Sequence, residues 1–330
     1  MRTLYVSRQG CYLGLRQEQV VVRQGETVLD RVQLPLLEQI LIFGQSQVTT
    51  QLIRACLWRD IPIAYLSRLG FCYGRMLPIT RGHRQLVRYQ QQVGFPDRLL
   101  VARQIVQTKL KNSRVLLLRQ QRRRSSPALA EAIERLEELS QQAHRGEAID
   151  YLMGVEGLGA RVYYGAFADC LDNPAFSFSR RSRRPPEDPV NALLSFGYQV
   201  VWNHLLSLIE LQGLDPYLAC LHEGNHQHPA LASDLVEEFR ASIVDSLVLY
   251  LVNRRVMDAQ QDFEYDKGGC LLNDGGRRKF LRAFVQRMEE PLTTTDGESH
   301  PRWHGLNAQV KAYKQFVYDP ACSYRPYQIR

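Results

Sequence analysis

The hydrophobic rhythm of this 330-residue chain changes once, near Pro78, and that change bounds what it can fold into. Before Pro78, β-branched and aromatic residues come in short runs at positions 4–6, 12–15, 20–22 and 28–34. Gln9-Gly10 and Gln24-Gly25-Glu26 punctuate them as hairpin turns. Positions 36–44 and 61–66 read as further strands, with 71–75 as the hairpin partner of the latter. Positions 49–59 read as a short helix, because Leu52, Ile53, Cys56 and Leu57 share one side. After Pro78, apolar residues recur at steps of three and four as far as Tyr250. Asp97 predicts the N-cap of a long helix through Arg124, and Ser126-Pro127 opens the next. The expected class is α+β. A small N-terminal β-rich domain (1–78) precedes a larger, mainly α-helical catalytic domain (79–330). The arginine-rich stretch 179–186 reads as a disordered loop. A hairpin at 263–272, a helix at 277–288 and a tail carrying Tyr318, Tyr324 and Tyr327 complete the reading.

Charge narrows the function. The net charge is +8, but its placement says more. Arg81 to Arg124 holds twelve basic residues and one acid, Asp97, for a local +11. The following stretch to Asp150 has six acids and two arginines, for −4. A block of one sign predicts a polyanion-binding surface. Arg81, Arg84 and Arg88 share one helical face, and Arg103, Gln107, Lys111 and Arg114 share another. Such stripes grip phosphates without reading sequence. No P-loop, nucleophile elbow or dinucleotide fingerprint is present. The seven cysteines are scattered without zinc or redox spacing, which predicts packing thiols. No apolar run nears the roughly 18 residues of a membrane span. The chain reads as cytoplasmic, with no membrane partner.

Three carboxylates and an imidazole stand out. Glu156 falls in the middle of an apolar helical stripe of Ile149, Leu152, Met153, Ala160, Tyr163 and Phe167. A carboxylate facing a core needs a cation, a hydrogen-bond network or a proton. A buried salt bridge and a metal both satisfy that demand. His222 ends an apolar stretch and opens the polar loop 223–228, where His226 and His228 follow. It reads either as a surface-loop histidine or as a ligand. Asp234 and Glu237 lie one turn apart on a helix beginning at Pro229. They read either as an ordinary acidic helix start or as a hard-cation face. Two carboxylates with one imidazole suit Mg²⁺ or Mn²⁺ better than structural zinc.

Several segments, in order, resemble the CRISPR-associated Cas-one (Cas1) family. They are Tyr151-Leu-Met-Gly-Val-Glu-Gly, the stretch from Pro189 to Tyr198, Gly213-Leu-Asp-Pro-Tyr-Leu running to Leu221-His222, the stretch from Ala232 to Arg240, and Asp274-Gly-Gly-Arg. The resemblance spans essentially the whole chain. It implies that Glu156, His222 and Glu237 bind a divalent metal, Mg²⁺ or Mn²⁺, with Asp234 as an accessory acid. It also implies a homodimer, and a heterohexamer formed with the small partner Cas-two (Cas2). The implied substrates are double-stranded DNA, namely a protospacer and the CRISPR array. The implied reaction is attack of a DNA 3′-hydroxyl on a phosphodiester, with DNA cleavage as a related activity. Arg181 and Arg184 in the arginine-rich loop join the helical stripes as DNA-binding candidates. The longer, His-containing loop 223–228 departs from the family pattern, so His226 and His228 stay outside the expected site. Two other functions remain open: a non-catalytic DNA-binding or assembly subunit, and a general metal-dependent nuclease without integration.

Overall fold

Eight short strands come first: β1 (Thr3–Val6), β2 (Cys11–Arg16), β3 (Gln19–Gln24), β4 (Thr27–Gln33), β5 (Gln39–Phe43), β6 (Ser46–Val48), β7 (Ile63–Leu66) and β8 (Cys72–Met76). Helix α1 (Thr50–Trp58) crosses between β6 and β7, with the Thr49 hydroxyl capping its start. The strands form two four-stranded sheets, ordered β1-β5-β7-β8 and β4-β3-β2-β6. This computed structural model describes residues 3–68, 70–79, 84–222, 228–266, 268–293 and 299–329.

Strand β5 explains how the β-rich part joins the rest. All five of its residues are buried. A strand covered on both faces loses its polar alternation and reads as an apolar run. Ile40 and Ile42 point into a core shared with Leu4, Leu13, Val20 and Ile63. Leu41 and Phe43 point the other way, into the main helical core, where Phe43 meets Phe196 at a ring distance of 5.5 Å.

The helical part comprises α2 (Arg84–Gln92), α3 (Phe95–Gln121), α4 (Pro127–His144), α5 (Ile149–Phe167), α6 (Pro189–Leu211), α7 (Ala230–Val236), α8 (Ser246–Asn253), α9 (Asp274–Glu289) and α10 (Arg302–Tyr318). A hairpin, β9 (Phe263–Asp266) and β10 (Gly269–Leu272), precedes α9. A second short pair, β11 (Pro291–Thr293) and β12 (Ser299–Pro301), follows it. Helix α6 is long and apolar enough to cross a membrane, but most of it is buried as the central core helix.

Three expectations need correction. Helix α3 starts earlier than Asp97, with Gly94 at the N-cap and Asp97 in the first turn, where it favours the helix dipole without capping. The arginine-rich loop is ordered. Asn191, in the first turn of α6, accepts from Arg181 (2.8 Å) and from the Ser182 amide (3.0 Å), and donates to the Arg180 carbonyl (2.8 Å). The acidic helix does not run on from Pro229. It stops at Val236, tightens through i→i−3 bonds at Glu237 and Phe239, and widens into a π-turn over Arg240–Asp245.

One buried histidine ties the β-rich part to α6. The His204 ring lies against Trp303 and Phe284, and accepts at Nδ1 from the Gln39 amide. Tyr5 hydroxyl lies 2.6 Å from Nε2. Burial, with Arg75 adding to it, pushes the imidazole down to about 3. The unfolded chain takes up that proton below pH 6.5, while the folded one resists until about pH 3. Stability from neutral His204 is therefore lost as pH falls through this window. Between pH 6.5 and 4, urea unfolding of wild type should lose about 1.4 kcal/mol per pH unit relative to His204→Gln. Parallel pH profiles for the two proteins would contradict this.

Candidate active site

Lys109 is the residue around which the site is arranged. It lies on the buried row of α3, among Ala102, Ile105, Val106, Asn112 and Leu116. Burying an ammonium there requires compensating charge. Glu156 of α5 supplies one carboxylate through a direct ion pair. Glu237, in the turn after α7, supplies the other at 2.6 Å. Gly159 makes the first pairing possible. A Cβ at this position would stand 2.2 Å from Leu110 Cδ2, so its absence lets α5 press onto α3 one turn from Glu156. Burial alone would lower the Lys109 pKa, but Glu237 and Glu156 outweigh it and raise the value.

Glu237 is 3% exposed and carries a second cation. Its Oε1 lies 2.9 Å from the Arg240 guanidinium, which in turn sits 4.5 Å over the Tyr198 ring. The π-turn presents both Arg240 and Asp245 to this region, and buried Asp245 accepts from Tyr163 at 2.8 Å and from Tyr198. Burial pushes the Glu237 carboxyl up, but Arg240, Lys109 and His222 together hold it well below the usual range. Its Oε2 accepts no well-aligned hydrogen bond, so its contact with Lys109 is ionic.

His222 is held by Asp234 from behind. Asp234 Oδ2 accepts from the Cys220 and Leu221 amides at 2.7 and 2.9 Å. Its Oδ1 accepts from the His222 amide at 2.9 Å and stands 2.8 Å from His222 Nδ1. That geometry places the proton on Nδ1 and leaves Nε2 as the free donor atom. Burial would lower the His222 pKa, but the Asp234 hydrogen bond reverses this and raises it. Asp234 is fully buried with both oxygens committed. It therefore positions the imidazole, and the expected role as an accessory ligand does not match its contacts.

Glu237 and His222 both line a cleft of about 850 Å³, walled also by Arg181, Arg184, Trp202 and Arg240. Glu156 is not part of this wall; it connects to Glu237 through Lys109. Among the described residues, no three acids, imidazoles or thiols are gathered into a ready cation cage. The ammonium of Lys109 stands between the two glutamates instead. The donor set still fits a divalent cation: two carboxylates already facing one positive charge, and an imidazole with its far nitrogen fixed.

The DNA-binding candidates divide. Arg184 is exposed on the cleft wall, and Arg181 lines the same cleft while held by Asn191 and by Ser195 at 2.9 Å. Arg88 is exposed on α2, which docks on the segment before His222 through Gln90. The second stripe faces α4. Arg103 donates to the Gly146 carbonyl, Gln107 to the Ser140 carbonyl at 3.3 Å, and Arg114 pairs with Glu137 at 3.2 Å. Lys111 is half-buried beside them. Arg81 and His226 lie outside the described residues, as does the Arg84 side chain. His228 lies 2.8 Å from the Ser233 hydroxyl and stacks on Trp202, on the cleft wall.

Residues 324–329 strap the back of the site. Tyr324 hydroxyl donates to Glu238 Oε1, and the Tyr327 amide donates to Glu238 Oε2 at 2.6 Å. Asn112, one turn beyond Lys109, donates to the Glu238 and Tyr327 carbonyls (both 2.9 Å) and accepts from the Ile329 amide (2.9 Å). The strap thus ties α3 to the turn that carries Glu237.

Known proteins share this architecture. The family described as CRISPR associated protein Cas1 matches residues 4–286. The CRISPR-associated endonuclease Cas1 1 of Chlorobaculum tepidum is 33% identical over 308 residues, covering 88% of each chain. A CRISPR-associated exonuclease Cas4/endonuclease Cas1 fusion of Geobacter sulfurreducens is 35% identical over 303 residues. That match covers 88% of this chain but about half of the fusion, 52%. In three dimensions, a Cas1 protein from Thermotoga maritima superposes with a TM-score of 0.81 at 24% identity, covering 97% of both chains. The chain belongs to the CRISPR-associated Cas1 family.

Proposed function

We propose that this protein is a divalent-metal-dependent DNA endonuclease and integrase of CRISPR adaptation. Its metal ligands are Glu156, His222 and Glu237. One observation carries the reading: two glutamates from separate elements converge on a single positive charge, beside an imidazole whose Nδ1 is fixed by a buried aspartate. A bound Mg²⁺ or Mn²⁺ would stabilise charge on a scissile phosphate and activate the attacking oxygen. The chain's own groups do the rest. Asp234 keeps the Nδ1 proton on His222 and its Nε2 lone pair directed outward. Arg240 and Lys109 keep Glu237 ionised. Arg181 and Arg184 offer charge to the DNA backbone along the cleft. The nucleophile is a DNA 3′-hydroxyl, so no Ser, Cys or Thr nucleophile is needed.

The same reading gives residues 1–78 the homodimer contact and adds Cas2 as the partner in a heterohexamer. The substrates are a protospacer duplex and the array. The decisive assay offers a short 3′-hydroxyl duplex and a repeat-bearing plasmid, with Cas2 and Mn²⁺ or Mg²⁺. Integration yields branched strand-transfer products. Free cleavage products alone would replace the proposal with a general nuclease. Assembly with DNA but no metal-dependent chemistry would replace it with a binding subunit. Neutralising Arg183 and Arg184 together should flatten the log–log salt dependence of duplex binding by about 2. An unchanged slope would remove the loop from the DNA track.

A further inference from the structure

We propose that Lys109 is a built-in counter-cation that occupies the divalent-ion position in the metal-free protein and is displaced when the ion binds. The proposal rests on the metal-site reading above. Lys109 stands on the buried row of α3, with Val106 and Leu116. Its ammonium contacts Glu156 and Glu237, which come from different elements. The other Glu237 oxygen is taken by Arg240. Locally, two cations already balance two carboxylates. A divalent ion added beside a retained ammonium would set like charges against each other within a buried space, where repulsion is strong. The ion and the ammonium therefore cannot share these oxygens.

The arrangement has a purpose before any metal arrives. Two neighbouring carboxylates with no cation between them would repel and turn apart. Lys109 keeps both pointed at a common centre. It also weakens metal binding, because the ion must first displace it. Lys109 is thus a positioning residue for the ligands and a competitor of the ion they hold.

The test is Mn²⁺ titration by calorimetry on the full chain without DNA, comparing wild type with Lys109→Met, Lys109→Arg and Glu156→Gln. Lys109→Met should bind Mn²⁺ at least tenfold more tightly than wild type, with Lys109→Arg within about threefold of it. The same Lys109→Met protein should melt lower without metal and gain more from Mn²⁺. Equal or weaker Mn²⁺ binding by Lys109→Met overturns the proposal. A second measurement needs no variant. The Lys109 ammonium, protected in the metal-free protein, should exchange rapidly with solvent at saturating Mg²⁺ when followed by NMR of ¹⁵N-lysine. Undiminished protection would also overturn the proposal. Failure of the underlying metal reading looks different: Mn²⁺ binding to wild type would then be indifferent to Glu156→Gln.

Discussion

Glu156→Gln should lower metal-dependent DNA cleavage and strand transfer by about 10³-fold, which corresponds to about 4 kcal/mol of transition-state stabilisation. The substitution keeps the side chain's shape and its hydrogen-bonding reach toward Lys109. It removes one of two charges that would hold the cation and face the developing negative charge of the phosphate. DNA binding should change little, because Glu156 belongs to the interior of the site and the arginines of the cleft wall are untouched. The two measurements to compare are strand-transfer rate at saturating Mn²⁺ and duplex affinity without metal. A variant that retains wild-type rates would remove Glu156 from the chemistry and leave it a structural partner of Lys109.

Asp234→Asn should have the second-largest effect, reached by another route. An amide oxygen can still accept from two of the four donors. Its NH₂ must then face either the Cys220 and Leu221 amides or the His222 amide and ring nitrogen. Two donors facing a donor in a fully buried site cost about 1–3 kcal/mol of stability or more. The imidazole has one escape. It can move its proton to Nε2 and accept the new NH₂ at Nδ1. That tautomer presents a proton where the metal needs a lone pair, so Mn²⁺ affinity should fall by about 10–100-fold. Calorimetry and urea unfolding on the same samples separate the two losses. Unaltered Mn²⁺ affinity with reduced stability would leave Asp234 a purely structural brace for residues 220–222.

The sequence discloses some of this site and hides the rest for definable reasons. The β-then-α division is legible because glycine turns and two-residue alternation stop where three-and-four spacing begins. Glu156 is legible because a carboxylate within an apolar stripe announces an unmet electrostatic demand. The partner that meets this demand is not. Lys109 is one of twelve basic residues in its stretch, and its singular feature, a place on the buried row with Val106 and Leu116, is masked by the charge around it. The basic stripe of α3 misleads for the reverse reason. It faces α4, where Arg114 pairs with Glu137 while Arg103 and Gln107 meet backbone carbonyls, a helix–helix contact that composition alone cannot separate from a surface for DNA. Asp234 looks like a ligand because it lies one turn from Glu237. Its real partners, three successive backbone amides of another segment, leave no trace in local spacing. The π-turn at Arg240–Asp245 defeats helical bookkeeping altogether, since one extra residue rotates every later side chain. Helix α10 carries a readable row in Trp303, Leu306, Val310, Tyr313 and Val317, spaced three and four apart like any buried helix face.

The strap at residues 324–329 gives the protein an order of completion as it is made. On the ribosome, Glu156, His222 and Glu237 all emerge many residues before Tyr324, Tyr327 and Ile329 reach Glu238 and Asn112. A growing chain thus carries Glu156, His222 and Glu237 before it carries the fastening that ties α3 to the turn of Glu237. The brace on α3 and on the turn of Glu237 is therefore made by residues synthesised well after the groups it holds.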